Sequence, residues 1–258
     1  SLGNRAGAQI VQAGTDATRI TVVGALDNSG GTLASNGDTT VAAGSLTNQG
    51  GTVRAAETSG LALTVGGLLD NSHKGVIGAG GNTTIAAGSL NNDAGSTTAV
   101  GDLTATIGGA ATNVGGTLAA NGHNTLVAGT LDNTGGTVAA VNGNLSVTTA
   151  GMTTNKGGTL QAGATSTLLN GGLNNAGGQV FGNSLSVDTR GQALDNSAKG
   201  TLAAITTVNV NSGALNNDTG LIQSGGAMTI DTNGQALTNS NAEGYRSKPE
   251  DAPGGITS

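Results

Sequence analysis

The feature that most constrains this chain is an asparagine that returns about every 21 residues. It stands in the motif Leu-x-Asn, which is followed by a short glycine-rich corner and then by Gly-x-apolar, as in residues 26–33. From Asn28 to Asn239 the spacings are 20, 23, 21, 21, 20, 22, 20, 21, 21 and 22 residues. So short a unit cannot bury its apolar face alone, and the period therefore predicts coils that stack on one another. The anchors are Asn4, Asn28, Asn48, Asn71, Asn92, Asn113, Asn133, Asn155, Asn175, Asn196, Asn217 and Asn239.

A leucine stands two residues before most anchors, and Ala111 and Thr153 are the exceptions. Two residues of one strand point to the same side, so an unbroken strand would direct both Leu and Asn inward. Stacked amides could then bond from coil to coil. The alternative is a corner asparagine that tolerates the left-handed conformation before glycine. The predicted structural columns are Leu26, Asn28, Leu46, Asn48, Leu69, Asn71, Leu90, Asn92, Leu131, Asn133, Leu173, Asn175, Leu194, Asn196, Leu215 and Asn217.

The glycine of Gly-x-apolar follows the corner even when the corner grows. At Lys74 and Lys199 the corner gains one residue, and the glycine moves with it. We therefore predict that this glycine meets a backbone requirement, namely a positive φ that other residues adopt only at a cost.

Each repeat also carries a second run with strand character, such as Thr40–Ala43 or Leu61–Val65. Alternation with period two and β-branched residues indicate strands, and Asn36-Gly37-Asp38 is typical of the turns between them. The sequence therefore predicts an all-β fold, a right-handed parallel β-helix over residues 1–243. Twelve coils spaced by about 4.8 Å would give a rod on the order of 60 Å long.

The composition changes from Glu243 onward. This segment holds both prolines, the only tyrosine and five charged residues within nine positions. We predict that residues 244–258 form an inserted loop or an exit linker. Ser1 falls inside the repeat pattern, so we expect the chain to be a piece of a longer protein.

Charge and cysteine content exclude several classes of function. The formal charge is −6 and the nine Lys and Arg residues are scattered, whereas nucleic-acid binding needs a basic patch. With no Cys, disulfide frameworks and Cys-based metal sites are excluded. No apolar run approaches the length of a membrane span.

Chemistry-bearing residues do not gather in the repeat pattern. General acid–base catalysis needs two groups within reach of one substrate, but the recurrent acids lie two or three coils apart, roughly 10 to 15 Å. We therefore predict no enzyme and no catalytic, cofactor-binding or metal-binding residue. The residues weighed are Asp27, Asp70, Asp132 and Asp195, and the lone histidines His73 and His123.

Two aromatic residues are the candidates for a contact surface, Phe181 and Tyr245. Phe181 alternates with Val180, so it should point outward as the one exposed large apolar residue of the rod. Sugar binding usually recruits exposed aromatic rings, but lateral packing is the commoner role of such a residue.

The repeat unit resembles the haemagglutinin-type repeats of the large exoproteins of bacterial two-partner secretion. The residues that carry the resemblance are the run Leu-Asp-Asn-Ser-Gly-Gly-Thr-Leu-Ala-Ser-Asn-Gly-Asp-Thr-Thr-Val-Ala-Ala-Gly-Ser-Leu at 26–46 and the run Leu-Asp-Asn-Thr-Gly-Gly-Thr-Val-Ala-Ala at 131–140. The similarity extends from residue 1 to about residue 243. The family includes filamentous haemagglutinin adhesins and the toxin-delivery filaments of contact-dependent growth inhibition.

The resemblance implies a structural shaft, exported through an outer-membrane partner transporter and displayed on the bacterial surface. Such a shaft would project an adhesive, receptor-binding or toxin-delivering tip toward a target cell or host surface, as a monomeric filament segment without cofactors. Two alternatives remain: a lateral module that binds a receptor or a glycan, and a polysaccharide-degrading β-helix enzyme.

Overall fold

The chain forms a parallel β-solenoid in a computed structural model that describes residues 1–56, 58–241 and 255–257. The described residues form strands and turns and no helix, and the strands pair in parallel with the equivalent strands of the neighbouring turns. The solenoid makes about 11 turns of about 21 residues. This confirms the predicted all-β class and repeat length. The sequence predicted twelve coils, but twelve anchors delimit only eleven turns.

Most turns contribute three strand segments, and the strands are numbered in chain order. They are β1 Leu2–Gly3, β2 Gln9–Gln12, β3 Thr18–Asp27, β4 Thr32–Ser35, β5 Thr39–Thr47, β6 Thr52–Ala55, β7 Leu61–Asp70, β8 Val76–Ala79, β9 Thr83–Asn91, β10 Ser96–Ala99, β11 Leu103–Ile107, β12 Ala110–Thr112, β13 Thr117–Ala120, β14 Asn124–Ala128 and β15 Thr130–Asp132. The second half contains β16 Thr137–Ala140, β17 Leu145–Thr149, β18 Thr153–Thr154, β19 Thr159–Ala162, β20 Thr165–Leu169, β21 Leu173–Asn174, β22 Gln179–Asp188, β23 Leu194–Asp195, β24 Thr201–Asn211, β25 Leu215–Asn216, β26 Leu221–Ser224, β27 Ala227–Asp231, β28 Leu237–Thr238 and β29 Gly255–Thr257.

Three parallel sheets run along the rod, and one turn is enough to define them. The first sheet contains the short strand before each anchor, such as β15; the second contains the Gly-x-apolar strand, such as β16; the third contains the second run, such as β17. In β3, β5, β7 and β9 the third-sheet and first-sheet segments are continuous. In β22 and β24 the second-sheet and third-sheet segments are continuous instead.

The core is a set of residue columns along the rod axis. In the first sheet the leucine column is paired in register, with Leu46 opposite Leu69 and Leu131 opposite Thr153. From Leu26 to Leu215 its leucines are at most 2% exposed. Burying each such side chain stabilises the fold by about 1.5–3 kcal/mol relative to exposing it. The column loses its cover only at the ends, where Leu237 is 44% exposed.

The C-terminal segment is described only in part. β29 pairs in parallel with β26, with Ile256 opposite Ile222. Residue 243, Tyr245 and most of the predicted loop or linker lie outside the described residues, so those assignments stay predictions. Across the described ranges, no helix is long and apolar enough to cross a membrane.

Candidate functional site

The anchor asparagines form one hydrogen-bonded ladder inside the rod. Each Nδ2 donates to the Oδ1 of the next anchor, from Asn4 to Asn28 at 2.7 Å and onward to Asn239, with all distances between 2.6 and 2.9 Å. From Asn28 to Asn217 the side chains are fully buried. The sequence left open whether the asparagines point inward or only form the corner. The structure shows that their side chains point inward.

Most of the amides also bond to the corner of their own turn and to the strand that follows the corner of the next turn. Asn28 Nδ2 donates to the carbonyl oxygens of Gly31 at 3.3 Å and Thr52 at 3.0 Å, in addition to its ladder bond. Its backbone N–H donates to the Thr47 carbonyl at 2.7 Å. A buried amide without partners costs free energy; here the donors and the acceptor are used, so the polar file fits into an apolar core.

The glycine of Gly-x-apolar is required for space and not for its φ. A Cβ on Gly136 would lie 2.0 Å from the Asn113 carbonyl oxygen, and the equivalent distances at the other corners are 1.9 to 2.4 Å. The positive φ lies one residue earlier, at Gly135 with 61°. Ala94 and Thr219 adopt it at that position in other turns, with φ of 52° and 58°. The predicted positive φ at the glycine of Gly-x-apolar is therefore wrong, because the requirement is close approach to the preceding coil.

The recurrent acids cap the corners. Asp132 Oδ1 accepts hydrogen bonds from the Thr134 backbone N–H at 3.0 Å and hydroxyl at 2.6 Å. Asp27 does the same with Ser29 and also pairs with Arg5, whose Nε lies 2.6 Å from Asp27 Oδ2. The Ser29 hydroxyl, then its backbone N–H, and Arg5 hold the pKa of Asp27 below its ordinary value, against a smaller opposing effect of desolvation. These carboxylates accept hydrogen bonds within their own turns, as Asp side chains commonly do.

The histidines bond locally, His73 within its own corner and His123 to the corner of the next coil. His73 Nδ1 lies 2.7 Å from the Ser72 hydroxyl, and His123 Nδ1 accepts from the Asn144 backbone N–H at 3.0 Å. Within the described part of the chain, no three His, Asp or Glu side chains come together as a metal site would require.

Phe181 lines an open groove of about 610 Å³ on the side of the rod. The prediction that it is the one exposed large apolar residue is wrong. Phe181 is only partly exposed, whereas the aliphatic residues Val23 and Ile205 are 97% and 72% exposed. Ile205 belongs to the same groove. Scattered exposed aliphatics are common on proteins, but Ile205 lies beside the partly exposed ring of Phe181 in a concave site.

A shortened corner produces the groove. Between the second and third sheets, β22 has one residue, Asn183, where the next turn has Ile205 and Thr206, because Gly182 pairs with Ala204 and Ser184 with Thr207. The backbone N–H of Asn183 donates to Ala164 at 2.6 Å, which holds the corner close to the preceding coil. A one-residue deletion in one turn of a stack leaves a notch between its neighbours. The sequence signal was a corner shorter than those of the other repeats.

Comparison with known families gives one match. The haemagglutinin repeat family model matches residues 4–73, 63–142, 140–202 and 180–241, and these overlapping segments together span residues 4–241. No curated protein matches the chain, and neither does a solved structure. Haemagglutinin repeats are typical of secreted surface exoproteins, and the family is structural and adhesin-like and is not a known enzyme family.

All the ladder residues, from Asn4 to Asn239, lie within the matched segments. Each matched segment spans several of the coils of about 21 residues that the structure shows stacked about 11 times. The chain belongs to the haemagglutinin repeat family.

Proposed function

We propose that this chain is the shaft of a secreted cell-surface exoprotein, which carries an adhesive, receptor-binding or toxin-delivering tip away from the bacterial cell. The repeats support a filamentous-haemagglutinin-like shaft. Both branches of the resemblance, adhesins and contact-dependent toxin filaments, use such a shaft. The mechanism is reach, since each turn adds about 4.8 Å along the axis.

The observation that carries the proposal is the unbroken ladder of eleven Asn–Asn bonds from Asn4 to Asn239. Together with parallel pairing in all three sheets, it links the first described turn directly to the last. Bending the rod would lengthen or compress the bonds of this single file, and hydrogen bonds weaken steeply with poor geometry. A long, evenly connected rod transmits position better than a chain of separately folded domains.

Export through an outer-membrane partner transporter belongs to the same proposal. The absence of Cys means that no disulfide has to be reduced before the chain threads through a pore as an extended polypeptide. Stacking is nearest-neighbour, so coils can fold one after another as they emerge. The large apolar and amide columns then provide the free energy of folding on the outer side.

Changing the number of turns tests the proposal. Deletion of residues 114–155 removes two turns and joins Asn113 to Lys156 across an equivalent corner. Small-angle scattering should show a rod about 10 Å shorter with the same cross-section, and duplication of the same residues should lengthen it by as much. In the exoprotein that carries this segment, both variants should reach the cell surface and keep the activity of the tip.

The deletion leaves the groove at Phe181 intact. If the deleted turns are only a spacer, the activity of the tip should survive; if they form a binding module, that activity should be lost. Suppose that a deletion variant is displayed but has lost the activity of the tip. If duplication of other turns restores the length of the rod but not this activity, the result would contradict the shaft. Retention of the chain in the periplasm of a strain that lacks the transporter, with surface display in its presence, is the expected result for export.

A further inference from the structure

The groove at Phe181 is formed by residues from successive turns of the second sheet and from the shortened corner beside them. Gln161, Phe181, Ala203 and Gln223 are paired in register in four successive turns of the second sheet. They form one outward file about 14 Å long. Ala203, the neighbour of Phe181 in the following turn, is small, and the two glutamines flank this pair in the turns on either side. Ile205 and Asn183 form the wall at the shortened corner.

The polar side chains around the ring are the amides of Gln161, Asn183 and Gln223. Among the described residues, the side chains of Gln161, Asn183 and Gln223 make no intramolecular hydrogen bond, in contrast to the anchor asparagines, whose amides are fully used. A carboxamide offers two donors and one acceptor oxygen. Three such groups around one aromatic face can bond the hydroxyls of a ligand that stacks on the ring.

The groove has no ionisable side chain among its lining residues. Electrostatic complementarity therefore favours an uncharged ligand, because a charged one would lose hydration without gaining a counter-charge. Its volume of about 610 Å³ lies in the range of small-ligand sites, which combine an apolar surface with a few placed polar groups.

We propose that the groove at Phe181 binds a neutral oligosaccharide, with one sugar ring stacked on Phe181 and its hydroxyls bonded by Gln161, Asn183 and Gln223. A purely apolar partner would leave the three amides without hydrogen bonds, and a polyanion would need Lys or Arg in the groove. This lateral site is independent of the shaft role, since it lies on the side of four turns and not at the end of the rod.

Saturation-transfer NMR and calorimetry on the 258-residue chain test the assignment. The probes are maltohexaose, cellohexaose and lacto-N-tetraose, with a heparin oligosaccharide as the charged ligand and a proline-rich peptide as the apolar one. At least one neutral saccharide should bind. Phe181→Ala should weaken it roughly tenfold or more, the loss expected when an aromatic contact of about 1.4 kcal/mol is removed.

The double variant Gln161→Leu, Gln223→Leu separates hydrogen bonding from apolar contact. It replaces the two amides with apolar side chains of comparable size and should still weaken saccharide binding several-fold. Val141→Ala is the matched control: Val141 is 56% exposed and outside the groove lining, so binding should not change. Melting curves establish that each variant folds, and if Phe181→Ala does not, the glutamine variant decides.

Three outcomes would overturn the proposal. They are no binding of any of the neutral saccharides, binding that Phe181→Ala and the glutamine variant leave unchanged, and preferential binding of heparin or of the peptide at this site. None of them would affect the rod dimensions measured for the shaft.

Discussion

The two halves of the rod differ in the residues that fill the interior of one corner. Where the third sheet turns toward the first, the interior position is apolar in the N-terminal turns and polar in the C-terminal ones. The apolar members are Val65, Ala87, Ile107 and Ala128, and the polar members are Thr149, Asn170, Thr189 and Ser212, all of them buried.

The hydroxyls in the polar half bond to their own corners. Thr149 Oγ1 donates to the Gly151 carbonyl at 2.8 Å and Thr189 Oγ1 to the Gln192 carbonyl at 2.5 Å. Ser212 Oγ donates to the Gly213 carbonyl at 3.1 Å. A buried polar group that finds a local partner costs little compared with one that does not. This column therefore needs the right size and a satisfied group, but not one particular residue.

Asn170 is the member that the rule does not cover. Its Nδ2 donates to Thr153 Oγ1 at 2.8 Å, and Thr153 Oγ1 lies 2.9 Å from Thr149 Oγ1. Its Oδ1 is the one buried side-chain oxygen or nitrogen without a partner in the described part of the chain. The second half thus contains a locally weak point that the first half lacks, although the anchor ladder passes through both unchanged.

Breaking the leucine column should have the largest effect. Leu131 is 1% exposed and lies opposite Thr153, at the boundary between the halves. Leu131→Asp should destabilise the rod by about 3–5 kcal/mol, because it buries a charge with no partner. Denaturant unfolding followed by circular dichroism measures this, with Val127→Asp as an exposed control. An unchanged midpoint would mean that the column does not support the fold.

Replacing the glycine of Gly-x-apolar should have the next largest effect, and this effect should be equal in both halves. Gly136→Ala places a Cβ 2.0 Å from the Asn113 carbonyl oxygen, so we expect a loss of at least about 1–3 kcal/mol. Gly135→Ala meets nothing within 4 Å and retains only the cost of its φ of 61°, about 1 kcal/mol. Melting temperatures of the pair rank the two effects; the reverse order would restore φ as the reason for the glycine.

Asn170→Leu should reduce the difference between the halves. It removes the unpaired oxygen and keeps the number and branching of the side-chain heavy atoms, so we expect stabilisation by about 1 kcal/mol. The matched variant is Asn124→Leu, since Asn124 Nδ2 donates to the carbonyls of Leu118 and Ala139, both at 3.0 Å, and its loss should destabilise. Hydrogen exchange near β20 and β14 would localise each effect. Destabilisation by both variants would show that Asn170 contributes like any other satisfied amide.

The smallest effect concerns acid. The pKa of Asp27 is lowered in the folded chain, so its stabilising contribution is present above the unfolded pKa of about 3.9 and is lost as pH falls through the lower folded value. Melting between pH 5 and pH 2 should fall more steeply for the native chain than for Asp27→Asn. Ser29→Ala removes the largest cause of the shift and should flatten the native profile. Identical profiles for all three would exclude this carboxylate from the acid response.

The amino-acid sequence determined the repeat, its length, the β class and the family, because a period of about 21 residues with aligned Leu, Asn and Gly columns leaves stacking as the way to bury the apolar face. It also identified the anchors as structural. Whether their amides pointed inward was open, since the distinction depends on where the strand ends relative to the corner, and that is set by contacts with the neighbouring coils.

Only the tertiary structure showed that Gly136 is needed because the Asn113 carbonyl of the preceding coil lies beside it, and that Phe181 sits in a groove. Both facts join residues about 20 positions apart across the stack. A linear period predicts which residues share a column, but the distance between columns and the notch left by a shortened corner follow from packing between turns. For that reason the sequence determined the rod, and the structure decided where its side could bind a ligand.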